Sequence, residues 1–512
     1  MFEDIIYIDS DNIEDKVLRS CSSILAAFLP GKTVRFNALE ENNSFADILK
    51  IKLDPKLTSI HLYYYEKNRL LFYREYDLLP LAYKKEFILP GKETLHQIQV
   101  KRAMYLFLQD LTGKSVPWGI LTGVRPGKLI FRMQELGISK ATQKKTLADL
   151  YMVADEKIKL LWDIAENQKN SLKETYQNKN NIALYISIPF CPSRCFYCSF
   201  PSRSIGSPNN ENLFFIYLKA LKREIELTGS LMKKYNLQAD KIYIGGGTPT
   251  VLNNEQLTNL LEVIRRNISM LPGLEYTMEA GRPDTLDESK MKIMVGYGIN
   301  RISINPQTMQ DNTLKTIGRT HTVADIVAKY YEARKVATWT INMDLILGLP
   351  GEGLDEVKQS IEKILQLKPD NITVHALSLK KGSKAWEQHY THAHEIDWLN
   401  VQRYVEQQLT SEGFKPYYLY RQKYIAGNLE NVGYSLPGKE CCYNIVMIEE
   451  KQIILGLGAG ATSKIFLGEK QHENKQHENI YSSNDISFYI DNFEKFNLKK
   501  EKMLANLYYL DK

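Results

Sequence analysis

Cys191, Cys195 and Cys198 stand in the run IPFCPSRCFYC (188–198), three of the chain's six cysteines within eight residues. Thiolates with three and then two residues between them can wrap one cubane iron–sulfur cluster from a single loop. Four irons and three cysteines leave one iron without a protein ligand, and an open coordination position marks a working site rather than a structural one. A zinc site with a distant fourth ligand is the alternative for this spacing. It finds no further Cys-x-x-Cys and no His pair nearby.

The next distinctive run is GGGTPT (245–250). Consecutive glycines let a backbone approach a ligand closely, and Pro249 ends a strand. Polar residues then recur one per strand region: Glu279 in YTMEAG, Gln307 in RISINPQ, Arg319 and His321 in IGRTH, and Asp344 in INMDLILGLPGE. Buried polar side chains are costly unless paired. A polar ligand would supply partners, since carboxylates accept from hydroxyls and Arg grips a carboxylate with two hydrogen bonds.

These residues need strands to carry them. From 182 onward short apolar segments (182–188, 240–245, 275–280, 300–305, 340–347 and 371–377) alternate with helical patterns at 212–236, 255–269, 323–337 and 354–366. Repeated strand–helix units imply a parallel sheet with right-handed crossovers, here an incomplete six-unit β/α barrel. Chemistry in such barrels gathers at the C-terminal strand ends, where the residues above fall. Before this region, strands are expected at 49–53, 59–65 and 69–74 and helices at 97–113, 127–137 and 140–176. After it, a helix is expected near 396–411 and two strands near 442–456. The expected organisation is an N-terminal α+β domain (1–176), the partial barrel (182–380) and a C-terminal domain capping the pocket (381–512).

The 512 residues are 44% hydrophobic and 25% charged, as in an ordinary globular protein with a full core. A net charge of +6 from 66 basic and 60 acidic residues is too balanced for a nucleic-acid binder. No apolar run reaches membrane-span length. The acidic start MFEDIIYIDSDNIEDK is unlike a secretion signal, so a cytoplasmic chain with reduced thiols is expected. Several runs read as structural. LGLGAGA (455–461) is a close-packed turn facing the pocket, GVRPGK (123–128) a turn opening a helix, and His392 and His394 part of a surface loop. The repeated KQHEN (470–474 and 475–479) reads as a solvated loop. Cys21, Cys441 and Cys442 read as core residues.

The cysteine loop resembles that of the radical S-adenosylmethionine (SAM) superfamily, in which SAM binds the open iron of a 4Fe-4S cluster and is cleaved to methionine and a 5′-deoxyadenosyl radical. The ordered set YISIPFC, GGGTPT, EAGRPD, GINRISINPQ, IGRTH, NMDLILGLPGE and NITVHALSL is similar to the oxygen-independent coproporphyrinogen III oxidase group, over roughly 180–465. PWGILTGVRPGKL (117–129) and GNLENVGYSLPG (427–438) resemble its clostridial and bacillar coproporphyrinogen dehydrogenase, or oxidase-like, branch. The resemblance implies that Cys191, Cys195 and Cys198 ligate the cluster and that Tyr185 lines it. It puts the Tyr197 backbone near the adenine. Gly246, Gly247 and Thr248 would receive the SAM amino group, and Glu279, Gln307, Arg319 and Asp344 would hold the first SAM. Ser378 and Thr462 fall where family members touch a second SAM or the substrate.

The implied reaction is oxidative decarboxylation of two propionates of coproporphyrinogen III to give protoporphyrinogen IX, with an external one-electron donor and acceptor. Four substrate carboxylates require cations, for which Arg282, Lys380, Arg421 and Lys423 are the candidates. Charge reversal at Arg421 is expected to raise the substrate Michaelis constant. The group departs here in two places. Phe200 stands where the characterised oxidases carry a further Cys. Tyr443-Asn444 stands where related haem chaperones carry His-Asn, and their following Tyr-Trp is absent, which argues against haem delivery through that motif.

Overall fold

The computed structural model describes residues 5–509 except 12, 30–31, 37–46, 54–58, 67–68, 78–93, 124, 174–177, 207, 394, 423–424 and 467–476. They form two compact units, Met1–Ala165 with Tyr420–Asn428, and Glu166–Leu419 with Leu429–Lys512.

In the first unit the strands β1 (Ile5–Asp11), β2 (Thr33–Phe36), β3 (Asp47–Leu53), β4 (Ser59–Glu66) and β5 (Arg69–Asp77) make one sheet in the order β2-β1-β3-β4-β5. β1 runs parallel to β2 and β3, and β4 and β5 follow antiparallel. The helix Leu95–Thr112 packs on this sheet through Phe107 against Phe72, and a Thr94–Gln97 capping box fixes its start. The helix expected across 140–176 is broken. A π-turn at Thr146–Leu150 ends it, Met152 takes a positive φ of 58°, and helix resumes over Asp155–Leu172. The break exists because Tyr151 turns its carbonyl to the Ile120 amide while Ala154 donates to Pro117. Only glycine fits opposite: a Cβ on Gly119 (φ +53°) would lie 2.2 Å from the Tyr151 oxygen.

The second unit is built on β6 (Asn181–Ile188), β7 (Phe190–Cys191), β8 (Arg203–Ser204), β9 (Gln238–Gly246), β10 (Met270–Glu279), β11 (Arg301–Ser303), β12 (Thr340–Leu347), β13 (Asn371–Ala376), β14 (Lys415–Tyr420), β15 (Asn431–Ser435), β16 (Ile454–Leu457), β17 (Thr462–Phe466) and β18 (His477–Tyr481). β6, β9, β10, β11, β12 and β13 are the six expected strands. They are parallel and each neighbours the next, with helices in the connections, the layout of an incomplete β/α barrel. Side chains alternate between two faces. One face is apolar, with Ile182, Leu184, Ile242, Ile244, Met278, Ile302, Ile341, Met343, Ile372 and Val374 buried. The register aligns the other face as Tyr185, Tyr243, Thr277 and Arg301, with Glu279, Ser303, Asn342 and Asn371 following, and this inner face is polar.

Part of the region after 380, expected as a domain capping the pocket, joins the barrel sheet. β15 pairs antiparallel with β13, and β16 lies parallel to β6 as a seventh parallel strand, so both edges of the barrel sheet are extended by C-terminal residues. The backbone groups exposed on an open sheet's edges are satisfied this way. The two strands expected near 442–456 are also corrected: Cys442–Glu449 is helix, and only β16 is strand. The helix is set by a tertiary contact. The Glu275 carboxylate, on the inner face of β10, accepts from the Cys442 and Tyr443 amides at 2.7 and 2.8 Å, satisfying two donors at the helix start. Of the repeated KQHEN, residues 470–476 lie outside the described residues, while His477–Asn479 are in β18 rather than a loop. Among the described residues no helix is long and apolar enough to cross a membrane.

Glu275 is also 3.9 Å from the buried Arg301 guanidinium. Glu275→Ala would leave two amides without their acceptor and Arg301 without its nearby counter-charge. It is expected to lower unfolding stability by roughly 3 kcal/mol, measured as the denaturant midpoint at constant m-value.

Candidate functional site

The run 188–198 leaves the C-terminal end of β6 and is tied down along its length. Gly247 donates to the Ile188 carbonyl and Thr248 to the Phe190 carbonyl, both at 2.8 Å. A Cβ on Gly247 would meet the Phe190 oxygen at 2.4 Å, so glycine is required for this approach. Gly246 has a φ of +113°, and a Cβ there would sit 2.9 Å from the Ser187 hydroxyl. The Thr248 hydroxyl lies 3.5 Å from Cys191 Sγ. Further along, Phe196 donates to the Ile317 carbonyl and Cys198 to Cys195.

Arg282 and Arg319 buttress the loop. Arg282, 4% exposed, donates to Ser193 Oγ, to Asp284 at 3.1 Å, and to Cys195 Sγ at 3.7 Å. His321 lies 3.3 Å from the same Asp284. Burial pushes the Asp284 carboxyl up, but hydrogen bonds from His321 and Arg282 outweigh it and hold the group well below the usual carboxylate range. Arg319 donates to the Gly281 and Asn305 carbonyls at 2.9 Å and to the Tyr197 hydroxyl at 3.0 Å. Arg282 is thus a partner of the cysteine loop, a role nearer the thiols than the substrate contact expected for it.

Facing the loop is the polar inner surface of the barrel. Tyr243 donates to Glu279 Oε1 at 2.7 Å, Asn342 to Asp344 at 2.7 Å, and Thr373 to Asn342 at 3.1 Å. His375 Nε2 stands 3.7 Å from Asp344. Gln307 is buried with a φ of +67°, its backbone bridged to β12 through Asp344 and Ile346. A side chain held in that region signals a constraint imposed by its surroundings. Tyr185, Tyr243 and Tyr443 stack at the core of this surface, with centroids 4.6 Å apart for Tyr243–Tyr443 and 6.2 Å for Tyr185 with each.

The structure therefore brings Tyr185, Cys191, Cys195, Tyr197, Cys198, Gly246, Gly247, Thr248, Glu279, Gln307, Arg319 and Asp344 to the C-terminal ends of neighbouring strands. Ser378 is buried just beyond β13, and Thr462 opens β17, its backbone 2.7 Å from where a Gly456 Cβ would be. Lys380 reaches solvent beside the loop. Neighbouring protein atoms lower its ammonium pKa, and Cys198 opposes that shift. Arg421 is corrected. It is buried in the first unit, donates to the Leu121 carbonyl and Asn428, and lies over the Trp118 ring, so these contacts commit it to packing. The expected effect of Arg421 charge reversal accordingly becomes a loss of stability. Lys423 and His394 lie outside the described residues, and His392 is half-buried against Tyr390. Phe200 is 48% exposed. Asn305, Asn342, His375 and Tyr243 are additional inner-face residues. Alternation with apolar neighbours in KIYIG, RISIN, INMDL and NITVHA is the signal that could have found them.

A cluster and SAM fit these residues. Among the described residues, the hydroxyls of Thr277, Ser303 and Tyr443 and the Arg319 Nε are buried without a hydrogen-bond partner, and the first three positions are on or against the inner face. Burying so many unpaired polar atoms is unfavourable unless a polar ligand meets them. No three His, Cys, Asp or Glu side chains are gathered as ligands of a single ion among the described residues. A cubane spreads its thiolates over different irons. Burial raises the Cys191 and Cys198 thiols, the latter to about 11, so metal charge is needed to hold them as thiolates.

Burial, with a smaller contribution from the Asp344 charge, raises Glu279 from 4.5 to about 7 against the Tyr243 hydrogen bond. The folded protein binds this proton more tightly than the unfolded chain does. The associated stability is complete below about pH 4.5 and is lost as pH rises through about 7. Relative to Glu279→Gln, the ligand-free protein is expected to lose about 3 kcal/mol across that window, read from denaturant midpoints against pH.

Residues 185–364 match the Radical SAM superfamily. The chain is 38% identical over 424 residues to the oxygen-independent coproporphyrinogen-III oxidase-like protein HemZ of Bacillus subtilis, covering 81% of this chain and 83% of that one. It is 38% identical over 195 residues to the haem chaperone HemW of the same organism, covering 38% and 49% of the two chains. The coproporphyrinogen III oxidase HemN of Escherichia coli, a radical SAM enzyme, has a similar fold, with a TM-score of 0.51 at 18% identity over 64% of this chain and 73% of that one. That family implies a 4Fe-4S cluster and SAM, for which the inner face and the cysteine loop have the matching chemistry, and the chain belongs to the radical SAM superfamily, among the oxygen-independent coproporphyrinogen-III oxidase-like proteins.

Proposed function

We propose that the chain is a cytoplasmic radical SAM oxidoreductase that converts coproporphyrinogen III to protoporphyrinogen IX without oxygen. The observation that carries the reading is the meeting of three thiols with a polar, partly unpaired inner face at one end of the barrel strands. The similarity to a coproporphyrinogen oxidase-like protein over most of both chains directs the choice of substrate. Cys191, Cys195 and Cys198 would hold the cluster, leaving one iron for SAM. When bound, this pair would supply one-electron chemistry for abstracting hydrogen from the substrate propionates, with an external acceptor taking the electron left by decarboxylation.

The chain's own residues bind and orient. The backbone of Gly246, Gly247 and Thr248, held against β6, receives the SAM amino group. Glu279 loses its proton as a cationic ligand arrives, because a nearby positive charge lowers a carboxyl pKa. Asp344, Gln307 and Arg319 complete the SAM contacts, Ser378 and Thr462 meet a second SAM or the porphyrinogen, and Lys380 pairs with a substrate carboxylate. The stacked Tyr185, Tyr243 and Tyr443 close the floor against water.

A haem-carrying role is the second reading. It is favoured by Phe200 in place of a cysteine and by the similarity to a haem chaperone. It is opposed by Tyr443, which stands where those chaperones are expected to carry His. Anaerobic reconstitution followed by reductant, SAM and coproporphyrinogen III separates the two. Protoporphyrinogen formed together with 5′-deoxyadenosine is the expected result, and Cys195→Ala should abolish both along with the bound iron. Tight haem binding without product would establish the second reading. SAM cleavage indifferent to the porphyrinogen would mean another substrate.

A further inference from the structure

We propose that Glu224, on the helix Pro208–Lys234, is a positioning residue for the cysteine loop, acting through the glycine turn Gly458–Ala461. Glu224 and Lys500, on the C-terminal helix Ile486–Tyr509, are 1% and 2% exposed and form an ion pair at 2.7 Å. An ion pair so fully buried gives little net stability by itself, because both charges lose their hydration. Its geometry, however, aims the second carboxylate oxygen elsewhere. Glu224 Oε2 accepts from the Gly458 amide at 2.8 Å and from the Tyr489 hydroxyl at 2.6 Å.

Gly458 follows β16, which runs parallel to β6, so the turn emerges at the same strand end as the cysteine loop. It lies directly behind that loop. A Cβ on Gly458 (φ +94°) would sit 2.8 Å from the Ser187 carbonyl and 2.4 Å from the Tyr217 hydroxyl. The Tyr217 hydroxyl donates to Ser187 O at 2.7 Å and accepts from the Ala459 amide at 3.2 Å, and its ring packs on Phe190, next to Cys191. A Cβ on Gly460 would reach Pro201 at 3.4 Å, just past Cys198. The turn thus touches the chain where it enters the cysteine loop and where it leaves. Glu224 fixes the turn, and Lys500 orients Glu224. This device depends on membership of the radical SAM superfamily and not on which substrate is decarboxylated.

Two charge-free variants separate positioning from stability. Glu224→Gln with Lys500→Met removes both charges but keeps an acceptor for Gly458. Glu224→Met with Tyr489→Phe and Lys500→Met removes the acceptor and leaves no buried charge. In the apolar triple variant, anaerobic loss of iron to a chelator should be faster and SAM binding weaker, each by roughly tenfold, as expected for the loss of one hydrogen bond. The electron paramagnetic resonance change on adding SAM to the reduced cluster should shrink in parallel. The Gln/Met variant should stay near wild type in all three. Equal iron retention and SAM affinity in the two variants would overturn the proposal. A measurement on the wild-type chain stands whether or not the triple variant folds. The Gly458 and Ala459 amides should exchange hydrogen at least a hundredfold more slowly than exposed loop amides, and exchange at exposed-loop rates would equally overturn it.

Discussion

Everything at the site depends on one close approach, that of the Gly246–Thr248 backbone to the end of β6. Amides at 247 and 248 pair with carbonyls at 188 and 190, an approach that a side chain at 247 would block. These bonds fix the exit direction of the chain from β6, and hence where Cys191 begins its loop. They also place the Thr248 hydroxyl beside Cys191 Sγ. The later supports, Arg282 on Ser193 and Cys195 and Arg319 on Tyr197, act on a loop whose origin is already set.

The second constraint is the polarity of the inner face. A barrel this small fills its interior with side chains, usually branched apolar ones. Here the interior carries carboxylates, amides, hydroxyls and a guanidinium, each needing a partner. Many find one another: Tyr243 with Glu279, Thr373 with Asn342 and Asp344, Glu275 with Arg301 and the start of the helix at 442. Others, the hydroxyls of Thr277, Ser303 and Tyr443 among them, do not. That unmet demand on the inner face is what a polar ligand would answer.

The C-terminal region is consequently part of the barrel's structure as well as a neighbour of its mouth. It closes both sheet edges, sends Tyr443 into the tyrosine stack, and backs the cysteine loop through the glycine turn. The helix Ile486–Tyr509, distant in sequence from every motif, reaches the same turn through Lys500, Tyr489 and Glu224. Charges buried this deeply survive because each has a fixed, hydrogen-bonded counterpart.

The amino-acid sequence by itself determined the six strands, the cysteine spacing, the glycine run and the polar residue ending each strand, because period-two alternation and turn chemistry are local properties. It did not determine the helix at Cys442–Glu449, whose β-branched and apolar residues suit a strand; the Glu275 carboxylate, 167 residues away, supplies the cap that makes it helical. Nor did it distinguish the cations. Arg282, Lys380 and Arg421 are alike on paper, yet one braces the thiols, one meets solvent beside them, and one is spent on Trp118 and Leu121 in the other unit. Lys500 and Glu224 carried no signal because they are 276 residues apart and pair only through packing of two helices. Residue type is written in the chain, but the partner that gives a buried charge its role is chosen by tertiary structure, since desolvation makes any other arrangement too costly.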